Sequence, residues 1–92
     1  MSEQTRTSTA TYSDAIALIA DKLYLRRESE REMVSRINKG QDVFADQLRE
    51  CSDRYFTEAM AIAEAVSVLY ATDDEEVVDR AYEVMHEQYD ID

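Results

Sequence analysis

Ninety-two residues with no Pro, one Gly and one Cys leave room for one domain and supply little of the turn chemistry that β proteins need. The unpaired Cys51 excludes an intramolecular disulfide framework, and the net charge of −11 is one-sided: residues 1–40 hold seven bases against six acids, residues 41–92 three against fifteen. So acidic a second half is unsuited to direct nucleic-acid binding, because phosphate contacts need Lys and Arg.

Ala, Leu, Glu, Arg, Met and Gln are frequent, and all are good helix formers. The fold class predicted is all-α, a small bundle of three main helices at about 13–38, 42–71 and 73–89. Residues 1–11, rich in Ser and Thr, read as a disordered lead-in to a single domain over 12–92. That lead-in has no apolar core of the kind a secretory signal carries. The longest apolar run, 59–71, is far below the roughly 20 residues of a membrane span. A cytoplasmic protein is expected.

The first helix is predicted to start at Ser13 as cap, with Asp14 favourable in its first turn. "DAIALIADKLYL" is apolar almost all round, and "RRESEREM" after it is dense in charge. Ser29 and Glu32 have capping-box spacing and would allow a break near Glu28. No Gly or Pro forces a stop, so one continuous helix is the expectation. Its bases point in several directions, and Glu28–Arg31 and Glu32–Arg36 are spaced to pair along the helix. Gly40 suits the left-handed position that closes it.

Asp42 is the cap expected for the second helix. Phe44, Leu48, Cys51, Tyr55, Ala59, Ile62, Val66 and Leu69 advance by threes and fours and define one line, predicted to face the core. Cys51 on that line reads as a small buried hydrophobe. From Ala59 onward nearly every face is small or apolar. A capping box of Thr72 and Glu75 then opens the third helix, whose core line is predicted as Val78, Tyr82, Met85 and Tyr89.

Segments 15–25 and 59–71 are too apolar for three helices sharing one interior. A homodimer resolves this, with Ile16, Ile19, Leu23, Ala59, Ile62, Val66 and Leu69 at a two-fold interface.

Residues 72–92 hold nine carboxylates and one arginine. Glu76, Asp79, Glu83, Glu87 and Asp90 fall on a stripe beside the core line, about one charge every 5 Å of axis, and Asp73 and Asp74 in the first turn join them in the acidic partner-binding face. Arg80 is placed to pair with Glu76. The ordinary account is a solvated helix face or a surface paired with the Arg-rich first helix. The functional account is a surface for a basic protein, such as a nucleic-acid-binding host factor, with the carboxylates standing in for phosphates. Small virus-encoded inhibitors share this composition, and an acidic antitoxin-like inhibitor of a basic protein uses the same physics. A further alternative is a homodimeric assembly protein whose apolar helices are the functional surface.

Glu83 and His86 have the E-x-x-H spacing of di-iron bundles, but both point away from the core line and only one such motif exists. No Gly-rich phosphate loop and no nucleophile–base arrangement can be argued. The expectation is therefore a protein that is not an enzyme and takes no metal or cofactor.

Overall fold

The computed structural model describes residues 11–89, which form α1 (Tyr12–Asn38), α2 (Asp42–Leu69) and α3 (Asp74–Tyr89), with no strand among them. Of the lead-in, only Thr11 falls within that range, and it has a structural role. Its hydroxyl accepts from the Asp14 amide at 3.2 Å while the Asp14 carboxylate accepts from the Thr11 amide at 3.0 Å. This reciprocal box caps α1 two residues before Ser13, the cap predicted. α1 runs unbroken through Ser29, supported by Glu28–Arg31 at 3.3 Å, Arg26–Glu30 at 3.1 Å and Glu32–Arg36 at 2.9 Å.

Both interhelical turns close with the same backbone device. After α1, Gln41 N–H donates to the Arg36 carbonyl at 2.8 Å and Gly40 N–H to Ile37 at 2.9 Å, with Gly40 at φ +76°. After α2, Thr72 N–H donates to Ser67 at 2.9 Å and Ala71 N–H to Val68 at 3.4 Å, with Ala71 at φ +52°. These are Schellman endings, and the second uses an alanine where glycine is preferred. It stops α2 at Leu69, two residues before the predicted end. Gln41, not Asp42, is the N-cap of α2 and contributes no side-chain bond. At α3 the Asp73 carbonyl accepts from Val77 N–H and its carboxylate from Glu75 N–H at 3.4 Å, while Thr72 donates its hydroxyl to Glu76 at 2.6 Å. The predicted Thr72–Glu75 box is thereby displaced by one residue.

α1 and α2 form an antiparallel hairpin, and α3 lies along one face of its open end. The shared core is Ile16, Ile19, Ala20 and Leu23 from α1, Ala59, Ala63 and Val66 from α2, and Val77, Ala81 and Met85 from α3. α3 has 16 residues against 27 and 28 for its neighbours, about 24 Å against about 40 Å. It ends where Tyr89 stacks on Tyr24, with centroids 3.8 Å apart, and donates its hydroxyl to Asp21 at 2.6 Å. Beyond Tyr24 the hairpin continues as a two-helix arm. No helix among the described residues is long and apolar enough to cross a membrane.

Two predicted core lines are rotated. On α2 the buried residues are Ala45, Ser52, Ala59, Ala63, Val66 and Ser67. Ala45, Ser52, Ala59 and Val66 recur every seven residues, so small side chains form the seam against α1 and let the two axes approach closely. The larger members of the predicted line sit on the flank: Leu48, Cys51, Tyr55 and Ile62 are half-buried, Phe44 is 52% exposed and Leu69 78%. Cys51 is therefore a rim residue and not a core one. On α3 the seam is Val77, Ala81 and Met85, with Val78, Tyr82 and Tyr89 half-buried beside it. The seam serines are satisfied: Ser67 donates to the Glu64 carbonyl at 2.7 Å and Ser52 to Glu30 at 3.3 Å.

This rotation changes the expected dimer surface. Ile16, Ile19, Leu23, Ala59 and Val66 are at most 5% exposed inside the chain's own core, so they offer nothing to a second copy. Of the seven residues predicted there, only Ile62 and Leu69 retain accessible surface. The physical reason is that α3 takes the space a symmetry mate was expected to fill.

Candidate functional site: an acidic groove along the third helix

The turn after α2 brings Tyr70 against Tyr12, edge to face with centroids 5.1 Å apart. Below this pair opens a groove of about 860 Å³, lined by Tyr12, Tyr70, Thr72, Asp73, Glu75, Glu76, Asp79, Arg80 and Glu83. The left-handed Ala71 sets its upper edge, since Tyr70 and Thr72 on either side both line it. The first-turn acids Asp74, Glu75 and Glu76 also stabilise α3 locally, because negative charge at a helix N-terminus meets the positive end of its dipole.

Of the acidic residues predicted as a binding face, Asp73, Glu76, Asp79 and Glu83 are brought together in this groove. Asp74 and Glu87 are exposed on the same helix outside its lining, and Asp90 lies outside the described residues. Glu75, to which the sequence assigns only a capping role, is a groove residue as well. The two tyrosines are not foreseen in the sequence either. No local pattern pairs Tyr12 with Tyr70, because their contact depends on how α1 and α2 align.

Among the described residues, the bases of α1 find their acidic partners on α1 and α2. Arg26, Arg27, Arg31 and Arg36 pair with Glu30, Glu28, Glu28 and Glu32 of α1 itself, and Lys22 reaches Glu58 of α2 at 2.9 Å. Aromatic rings also face these cations: Arg26 lies 4.5 Å from the Phe56 centroid, Arg36 5.5 Å from Phe44 and Lys22 6.0 Å from Tyr55. On α3, Arg80 contacts Glu83 at 3.8 Å and not Glu76, which instead accepts from Thr72. That separation is long for an ion pair, and both side chains are about half exposed or more, so it offsets little.

Glu83 and His86, the E-x-x-H pair, are both exposed on α3. Among the described residues, no group of three or more His, Cys, Asp or Glu side chains is arranged to hold a metal ion. Among the described residues, a shifted titration lies away from the groove, at Tyr89. The Tyr89 phenol is raised above its ordinary value near 10, first by its hydrogen bond to Asp21, then by burial and by the Asp21 charge.

Fold and groove together define a small all-α bundle, a two-helix hairpin with a shorter acidic helix across its open end. Comparison with protein-family models, with curated proteins and with solved structures finds no match for the chain.

Proposed function

We propose that this is a non-enzymatic binding protein that uses the acidic groove of α3 to occupy a basic surface on a nucleic-acid-handling protein. The observation that carries the reading is the pairing pattern among the described residues: the cations of α1 are engaged by carboxylates of α1 and α2, and the acids of α3 meet only the long Arg80–Glu83 contact. Glu76, Asp79, Glu83 and Glu87 follow one another at three- or four-residue steps, about 5 Å apart along the axis. One strand of B-DNA offers a phosphate about every 3.4 Å, so a surface built for phosphates meets a sparser version of the same field. Tyr12 and Tyr70 at the head of the groove add ring faces and edges against which a partner's guanidinium can pack. Long-range attraction speeds encounter, and salt weakens it. Small virus-encoded inhibitors have the same profile of length, charge and helicity.

The test is capture of a basic nucleic-acid-binding protein by the intact chain, compared with E83K/E87K and in competition with duplex DNA. The reading expects capture at low salt, displacement by DNA, and loss in the double variant with helix content retained. Capture that persists in about 1 M salt, where the Debye length falls to about 3 Å, contradicts it. So does capture that DNA cannot displace.

A further inference from the structure

The hairpin has two broad faces, and α3 covers part of one. The opposite face runs along the flank that the rotated seam of α2 leaves uncovered. Leu18 and Leu25 on α1 are 47% and 40% exposed, and on α2 Phe44 is 52% and Leu69 78% exposed, with Tyr55 and Ile62 half-buried between them. Helical spacing places all six on this side: 18, 22, 25, 29, 32 and 36 form one stripe of α1, and 44, 48, 51, 55, 58, 62 and 69 one of α2. Contacts between the stripes agree, since Lys22 reaches Glu58 and Glu32 and Arg36 border one hollow with Phe44 and Leu48.

We propose that this face binds a second copy of the same chain, hairpin against hairpin, in a two-fold antiparallel four-helix core with α3 on the outside of each half. Charge is the first argument. A chain of net charge −11 repels its copy over most of its surface. Between Phe44 and Leu69 this face carries Asp14, Lys22, Glu32, Arg36 and Glu58, four of them in two opposite pairs each closed at 2.9 Å, a net charge of −1 on this face against −11 for the chain. A copy approaching here meets apolar side chains and compensated charge. The α3 ridges then lie about 30 Å apart across the stacked layers, roughly three Debye lengths at 0.1 M salt.

Area is the second argument. From Phe44 to Leu69 is about 38 Å of helix, and two adjacent helices are about 20 Å wide, giving on the order of 700 Å² per copy. A standard stable interface buries about 800 Å² per partner. The α2 stripe also repeats at seven residues through Leu48, Tyr55, Ile62 and Leu69, the spacing at which helices interlock along a shared seam. The inference is independent of what the α3 groove binds.

Sedimentation equilibrium of the full chain tests it, at micromolar to millimolar concentrations and at about 0.1 and about 1 M salt. The wild type is expected at twice 10.6 kDa, with tighter association at high salt as repulsion between the acidic bodies is screened. Phe44→Glu/Leu69→Glu is expected at 10.6 kDa with unchanged helix content, because both side chains are exposed in the single chain. Leu18→Glu, also exposed, provides an independent variant should the first lose its fold. A wild type that remains at 10.6 kDa overturns the proposal. A dimer that survives Leu18→Glu and the double change overturns it too, as does one that dissociates as salt rises. Loss of the dimer in E83K/E87K, whose changes lie on the outer helix, has the same consequence.

Discussion

Ala71 is a non-glycine residue in the left-handed region, at φ +52°, where the Cβ of an L-residue crowds the backbone at a cost of about 1–2 kcal/mol. Glycine removes that crowding but loses more chain entropy on folding, about 0.5–1 kcal/mol relative to alanine. Ala71→Gly is therefore predicted to stabilise the protein by a net of about 0.5–1 kcal/mol. For a domain of this size that is a rise in Tm of about 2–8 °C. The complementary change isolates the same effect. Gly40 has φ +76°, and a Cβ at this position would meet no atom within 4 Å, so Gly40→Ala introduces backbone strain without a steric clash. It is predicted to cost about the amount that Ala71→Gly gains. Urea unfolding of the three chains at one protein concentration measures both, with the slope m unchanged if only the folded turn is affected. Refutation would be an Ala71→Gly chain no more stable than wild type alongside an unaffected m.

Other contacts make forecasts of their own. Tyr89→Phe removes a hydroxyl bond to a carboxylate at a half-exposed site, a loss of about 1 kcal/mol after allowing for solvent. Because the folded phenol titrates above its ordinary value near 10, its contribution is complete below pH 10 and disappears as pH rises through the raised value. The stability gap between wild type and Tyr89→Phe in urea titrations should therefore close in strong alkali; a gap that widens there would contradict the contact. Glu83→Lys relieves repulsion from Asp79 and Glu87 but gives up the contact with Arg80 and sets a like charge beside it, so melting curves should show little net change while capture of a basic protein falls. Ala63→Leu, at 1% exposure in the seam, should cost about 1–3 kcal/mol by overpacking, whereas Ala65→Leu on the exposed side should be nearly silent in the same melts.

Three helices and their turns are legible in the sequence because nothing inside them breaks a helix and Gly40 marks the first stop. The second stop is carried by Ala71, which has no compositional signature of a left-handed residue, so the pattern extends α2 two residues too far. Caps move by one or two positions because Thr11, Ser13, Thr72 and Asp73 are all competent and only the backbone path chooses among them. The core lines are rotated for a deeper reason. Large side chains such as Phe44, Leu48 and Ile62 dominate an apolar periodicity, but close packing against α1 selects Ala45, Ser52 and Ala63 beside the predicted Ala59 and Val66. Segment 15–25 is buried on two sides, as its all-round apolar character implies, yet α3 supplies the second side where the sequence suggests a symmetry mate. The acidic character of α3 is legible residue by residue. The groove and the Tyr12–Tyr70 and Tyr24–Tyr89 contacts are not, since they join positions far apart in the chain.

The functional reading rests on negative potential concentrated along α3 and left uncancelled by the bases of α1. Relaxation of backbone amides by a cationic and by an anionic paramagnetic co-solute, compared residue by residue, measures that potential directly. The account predicts a strong preference for the cationic probe over residues 73–87 and a weak one over 26–36. Equal preference along the two stretches would mean that the chain already neutralises its own acidic helix.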